Sequence, residues 1–137
     1  MRYVVGKCIL IVEDQEPIGD VLARRFSRRG FEVVECTNPL EALACVRSRP
    51  VHLIITDIDL KHELTGVDFF KTISSEGFRQ PVIFLTGHDE ENELVQGAVL
   101  AGASAVFSKP TEFSVLLAKV CELLDMTADA AAIPGIR

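Results

Sequence analysis

The sequence predicts an α/β fold, a doubly wound five-stranded parallel sheet with helices on both faces. Three observations predict it. Five short apolar runs recur along the chain, most without polar alternation; the stretches between them are amphipathic; and strand and helix alternate five times within about 120 residues, the pattern of right-handed βα crossovers. PVIFLT, residues 81 to 86, is apolar at nearly every position, as a strand covered on both faces must be.

The predicted strands are Cys8–Val12, Phe31–Cys36, Val51–Thr56, Pro81–Thr86 and Ala103–Phe107. Pro17 suits the first turn of the first helix, whose apolar stripe is Ile18, Val21, Leu22 and Phe26, and Gly30 closes it. Asn38 and Pro39 form a cap and first-turn pair, with Leu40, Leu43 and Ala44 facing inward. The third helix runs from near Gly66 to Gly77. Asp89 is placed to cap the fourth, with Leu94, Ala98 and Ala101 inward. The last starts after Pro110 with Thr111 as its cap, and carries Val115, Leu116, Lys119, Val120 and Leu123 or Leu124. One domain over residues 1–125 and a short flexible tail over 126–137, with little core to bury, are expected.

With 137 residues the chain has room for one core rather than two. Its 48% hydrophobic and 25% charged residues are globular in balance, so working groups belong inside a fold. Fourteen Lys and Arg against twenty Asp and Glu give a net charge of −6, which disfavours direct contact with nucleic acid and suits a cation. No run approaches the roughly 20 apolar residues of a membrane span. A cytoplasmic protein without membrane insertion is expected. Cys8, Cys36, Cys45 and Cys121 lie in or beside apolar runs without metal-ligand spacing, as buried reduced thiols do.

In doubly wound sheets the binding crevice lies at the carboxyl ends of the strands, where strand order reverses. The first predicted strand ends in Glu13 and Asp14, the third in Asp57, the fourth in Thr86 and the fifth in Ser108 and Lys109. Three converging carboxylates repel one another unless a cation offsets them, and oxygen donors favour Mg²⁺ or Mn²⁺ over zinc. Such an ion keeps positions open for phosphate oxygens, Lys109 supplies a point charge, Thr86 a hydroxyl, and a carboxylate nucleophile completes a phosphoryl-transfer site. Asp14 is also placed to cap the helix that follows. His52, His62 and His88 include no pair at metal-ligand spacing; His88 is nearest the site.

At ILIVEDQEP, LIITDIDL, VIFLTGH and GASAVFSKP the sequence resembles the receiver domain of two-component response regulators, over about residues 6 to 125. The resemblance implies the flavodoxin-like strand order 2-1-3-4-5 and a phosphoryl group passing from a phosphohistidine to Asp57. It implies metal binding by Asp14, Asp57, the backbone carbonyl of Asp59 and, through water, Glu13. Thr86 and Lys109 would bind the phosphorylated state, and Pro110 would follow a cis peptide. The implied partners are a histidine kinase or histidine phosphotransfer protein and a downstream protein target, reached through the face of the fourth helix, fifth strand and fifth helix; a homodimer is compatible. With no output domain after residue 125, a stand-alone receiver is expected.

Two departures accompany the match. Val106 stands where the family often has an aromatic residue, with Phe107 expected on the opposite strand face, and the loop KHELTG is slightly longer than common. Two other functions compete. The DIDL stretch resembles the D-x-D signature of haloacid-dehalogenase phosphatases, but it follows the third strand rather than the first, and Lys61 stands where Thr or Val is usual. A receiver-shaped module acting by contact alone is the other; the complete set of acids, threonine and lysine argues against it.

Overall fold

Residues 6–125 are described by the computed structural model; the tail expected over 126–137 lies outside the described residues. The elements in chain order are β1 (Cys8–Val12), α1 (Glu16–Ser27), β2 (Glu32–Cys36), α2 (Pro39–Ser48) and β3 (Leu53–Asp57), then α3 (Gly66–Ser75), β4 (Val82–Thr86), α4 (Glu93–Leu100), β5 (Ala105–Ser108) and α5 (Phe113–Leu123). All strand pairs are parallel and the sheet order is β2-β1-β3-β4-β5, as expected. β1 is therefore an interior strand beside the central β3: it pairs Leu10 with Val34 of β2 on one side and with Ile54 of β3 on the other.

Successive side chains along a strand point to opposite faces, and the core divides accordingly. Leu10, Val12, Ile54, Val82 and Phe84 face Ala42, Leu43, Phe69, Phe70, Ile73 and Ala98 of α2, α3 and α4. Ile9, Ile11, Leu53, Ile55, Ile83 and Leu85 face Ala23, Phe26, Leu116, Leu117 and Val120 of α1 and α5. Every residue of β1, β3 and β4 is buried. Such a strand gains from burial on both faces, with each large apolar side chain contributing about 1.5–3 kcal/mol.

The helix boundaries follow local chemistry. Asn38 accepts a hydrogen bond from the Glu41 amide and caps α2, with Pro39 in the first turn. Thr65 and Asp68 close a reciprocal capping box at α3. Gly30 takes φ +97° just beyond α1, where a side chain would be strained.

Several inward assignments differ from expectation. Ile18 and Val21 are exposed, and α1 instead turns Gly19, Ala23 and Phe26 inward, with Leu22 half-buried. Leu40 is 56% exposed and Ala44 is exposed, whereas Pro39, Ala42, Leu43 and Cys45 are buried. In α5 Val115 is exposed and Leu117 and Cys121 join Leu116 and Val120 in the core. On α1 and α2 the small residues Gly19, Ala23 and Ala42 share the inner face with Phe26 and Leu43, and Ile18, Val21 and Leu40 are left outside. Asn92 rather than Asp89 caps α4, accepting from the Leu94 amide, and Thr111 does not cap α5, because its hydroxyl donates to the Ser108 carbonyl.

All four cysteines are free and buried. Burial pushes the Cys36 thiol up to about 11, helped by Cys45 and Glu41 nearby. Thiolate is the reactive form, so the native protein should resist alkylation by iodoacetamide at pH 8, and all four thiols should react once it is denatured. Mass spectrometry of quenched samples checks this; rapid native modification of Cys36 would contradict its burial.

Candidate functional site

The chain leaves β1 for β2 on one side of the sheet and reaches β3 on the other, so a crevice opens beyond the carboxyl ends of β1 and β3. Glu13 follows β1 directly and Asp57 ends β3; both are buried, at 3% and 9% exposure. Ligand atoms of Glu13, Asp14 and Asp57 lie within 4.8 Å of one another. Lys109, one residue beyond β5, reaches in between them. Its Nζ donates to Asp57 Oδ2 at 2.7 Å and to Glu13 Oε1 at 2.9 Å. The peptide between Lys109 and Pro110 is cis.

The electrostatics follow from burial. Burial pushes the Glu13 carboxyl up, and the bonds from Lys109 and the Gln15 amide oppose this without cancelling it. For Lys109 burial works to lower the ammonium, but the bonds to Asp57 and Glu13 prevail and hold it above its ordinary value. It stays charged at neutral pH.

Asp14 does not cap α1. Gln15 occupies that position, without a side-chain bond, and Asp14 Oδ1 is buried with no hydrogen-bond partner among the described residues. A buried carboxylate oxygen without a donor is costly, and here two further carboxylates stand nearby. A divalent cation answers both problems, so the donor set fits a hard metal ion. Asp14→Asn should raise stability in EDTA by about 1 kcal/mol, or roughly 3 °C in Tm. The same substitution should shrink the rise in Tm that Mg²⁺ produces; melting curves with EDTA and with Mg²⁺ check both.

Thr86, the last residue of β4, is buried; its hydroxyl accepts from the His88 amide at 2.9 Å, and its carbonyl accepts from the Lys109 amide at 2.7 Å. Val106 and Phe107 face opposite sides of β5, Val106 toward the core of α2, α3 and α4 and Phe107 toward that of α1 and α5. The expected opposition holds. The space an aromatic residue would fill at Val106 is an open groove beside Thr86, lined also by Val95, Val99 and Ala103.

The loop after β3 is shaped around Asp59. Its amide donates to Asp57 Oδ1 at 3.3 Å, while its own carboxylate accepts from the Lys61 amide at 3.1 Å and approaches Lys61 Nζ at 3.4 Å and His88 Nε2 at 3.8 Å. The Lys61 amide is the main cause holding the Asp59 carboxyl below its usual range. Lys61 adopts φ +52°. Its role is absent from the sequence-based reading, because a left-handed residue other than Gly or Asn leaves no mark in composition. Gly66 also has a role that the sequence did not reveal, set by close packing rather than by backbone conformation. Its amide donates to the Ile58 carbonyl at 2.7 Å, and a Cβ on it would stand 2.2 Å from the Asp57 carbonyl oxygen.

A five-stranded parallel sheet of this order, with an acidic cluster and a lysine at its carboxyl edge, defines the class. The family model for the response regulator receiver domain matches residues 9–121, and the chain belongs to that family. It is 32% identical over 124 residues to the transcriptional regulatory protein PcoR of Escherichia coli, covering 90% of this chain and 54% of the relative. To the alkaline phosphatase synthesis transcriptional regulatory protein PhoP of Bacillus subtilis it is 31% identical over 127 residues, covering 93% and 52%. The chain thus spans about half the length of these curated relatives. A CheY-like receiver domain protein from Methanospirillum hungatei superposes with TM-score 0.81 at 29% identity, covering 87% of this chain and 94% of the other. A response regulator from Burkholderia pseudomallei, solved with a phosphorylated aspartic acid, calcium ion and citrate, superposes with TM-score 0.74 at 26% identity, covering 82% and 65%.

The chain is therefore a receiver domain of two-component response regulators. Receiver domains bind a divalent metal at an acidic pocket, and Glu13, Asp14 and Asp57 form such a pocket here. Receiver domains of response regulators also interact with histidine kinases. Among the described residues no helix is long and apolar enough to cross a membrane.

Proposed function

We propose that Asp57 is the phosphoacceptor, and that it takes its phosphoryl group from the phosphohistidine of a histidine kinase or histidine phosphotransfer protein. The observation that carries this is the meeting of the Asp57 carboxylate with the Lys109 ammonium at 2.7 Å, inside a cluster where Asp14 holds a buried oxygen without a donor among the described residues. An Asp57 carboxylate oxygen attacks phosphorus, the P–N bond breaks, and the imidazole leaves with its electron pair.

Asp14, Asp57, the Asp59 backbone carbonyl and, through water, Glu13 would hold Mg²⁺ or Mn²⁺, since hard oxygen donors suit both. The ion, when bound, offsets the like charges and draws electron density from the phosphoryl oxygens. Lys109 exchanges a carboxylate contact for a phosphoryl oxygen, and the Thr86 hydroxyl donates to another. Asp59, held by Lys61 and set beside His88, is placed to modify how long the acyl phosphate survives.

Output then passes to a protein target or by onward phosphotransfer, from a cytoplasmic protein, with homodimer formation compatible. The groove beside Thr86 is lined from α4 and β5, where Val99 and Leu100 are exposed, which supports an exit through the proposed face of α4, β5 and α5. The test is incubation with Mg²⁺ and a small acyl phosphate or phosphoramidate, followed by intact mass measurement. One added phosphoryl group, mapped by digestion to the peptide containing Asp57 and prevented by EDTA, is expected. No adduct with either donor, or one on another residue, overturns the assignment.

A further inference from the structure

A second cleft, of about 580 Å³, lies where the C-terminal part of α1 meets the first turns of α5. None of its residues belongs to the acidic site. Phe113 is its floor, packed edge-on against Phe26 with ring centroids 4.8 Å apart. The guanidinium carbons of Arg25 and Arg29 stand 5.3 and 5.7 Å from the Phe113 centroid. Arg28 is exposed beside them.

These arginines differ from others on the surface. Arg47 is paired with Glu76 through two hydrogen bonds, and Arg49 is paired with Glu32. Among the described residues no carboxylate lies within ion-pair distance of Arg25, Arg28 or Arg29, although the chain as a whole carries −6. Arg24, by contrast, lies near Glu35, whose carboxyl is pushed up by burial and by Asp20, an effect that Arg24 partly opposes. The helix dipole favours cations near the end of α1. That explains basic residues there, but not two like-charged guanidinium groups gathered on one ring.

We propose that this cleft docks an acidic protein segment, two of whose carboxylates take the planar forks of Arg25 and Arg29. Stacking on Phe113 pre-orients the guanidinium groups, so little side-chain freedom is lost on binding. Arg25 and Arg29 are four residues apart on one helix, about 6 Å between Cβ atoms, the same repeat that carboxylates at i and i+4 present on an acidic helix.

The probe is a fluorescent glutamate-rich helical peptide, with a glutamine-substituted copy as control, read by anisotropy at about 0.15 M salt, where surface fields are screened within roughly 8 Å. The acidic peptide should bind and the control should not. Changing both Arg25→Lys and Arg29→Lys keeps the charge but removes the forks, and should weaken binding about tenfold; Arg47→Gln should have no effect. Equal affinity in the double lysine variant, tighter binding of a single-stranded RNA of matched charge, or no binding of the acidic peptide would each overturn the proposal. Phosphoryl uptake by the double variant should equal that of the unaltered protein, which separates this surface from the acidic site.

Discussion

Asp57→Asn should give a folded protein that takes up no phosphoryl group. The amide has the shape of the carboxylate but neither its charge nor its nucleophilic oxygen, so the loss of adduct is expected to be complete rather than partial. Stability should change little. Lys109 gives up a 2.7 Å bond to a charged partner but keeps Glu13 at 2.9 Å, while one of three mutually repelling carboxylates disappears. These effects oppose each other, and a net change within about 1 kcal/mol is expected. Intact mass after incubation with Mg²⁺ and an acyl phosphate, read beside a melting curve, checks both halves. An adduct of unchanged size in the variant would place the acceptor elsewhere.

Gly66→Ala should be the most damaging small substitution near the site. The added methyl would meet the Asp57 carbonyl oxygen at 2.2 Å and the Ile58 Cα at 3.1 Å. Both are backbone atoms, so no side chain can turn aside. The Asp57 carbonyl is tied to the Thr56 hydroxyl at 3.0 Å, and the Gly66 amide to the Ile58 carbonyl at 2.7 Å. The end of β3 or the start of α3 must therefore shift. A loss of about 3 kcal/mol or more, and a fall in Tm on the order of 10 °C, is expected. Phosphoryl uptake should drop as well, since the displaced peptide is that of Asp57. Gly87→Ala, at the same edge of the sheet, meets nothing within 4 Å and should be nearly silent in both measurements.

The strands and the site were legible in the sequence because both depend on order along the chain. β1, β3 and β4 are buried on both faces and read as unbroken apolar runs. Glu13, Asp57, Thr86 and Lys109 stand at strand ends that a parallel sheet must bring to one edge. Helix phase was legible only in part. Ile18, Val21, Leu40 and Val115 look like core and are exposed, while Gly19, Ala23 and Ala42 occupy the inner faces. An apolar count rewards large side chains, but the inner faces of these helices hold small ones as well. The clasp of Asp59 by Lys61 was hidden for another reason. It depends on one left-handed residue in a loop, and loop conformation is set by neighbours rather than by periodicity.

The pairing of Lys109 with Glu13 and Asp57 also has a consequence for synthesis. The lysine is 96 residues from Glu13 and 52 from Asp57 along the chain. A nascent chain emerges N-terminus first, so it presents Glu13 and Asp57 long before it can present Lys109. An emerging chain thus carries Asp57 without the ammonium that sits against it in the finished fold. On the proposed mechanism, competence for phosphoryl transfer appears only when the last strand docks, and an immature or truncated chain cannot intercept the signal meant for a completed one.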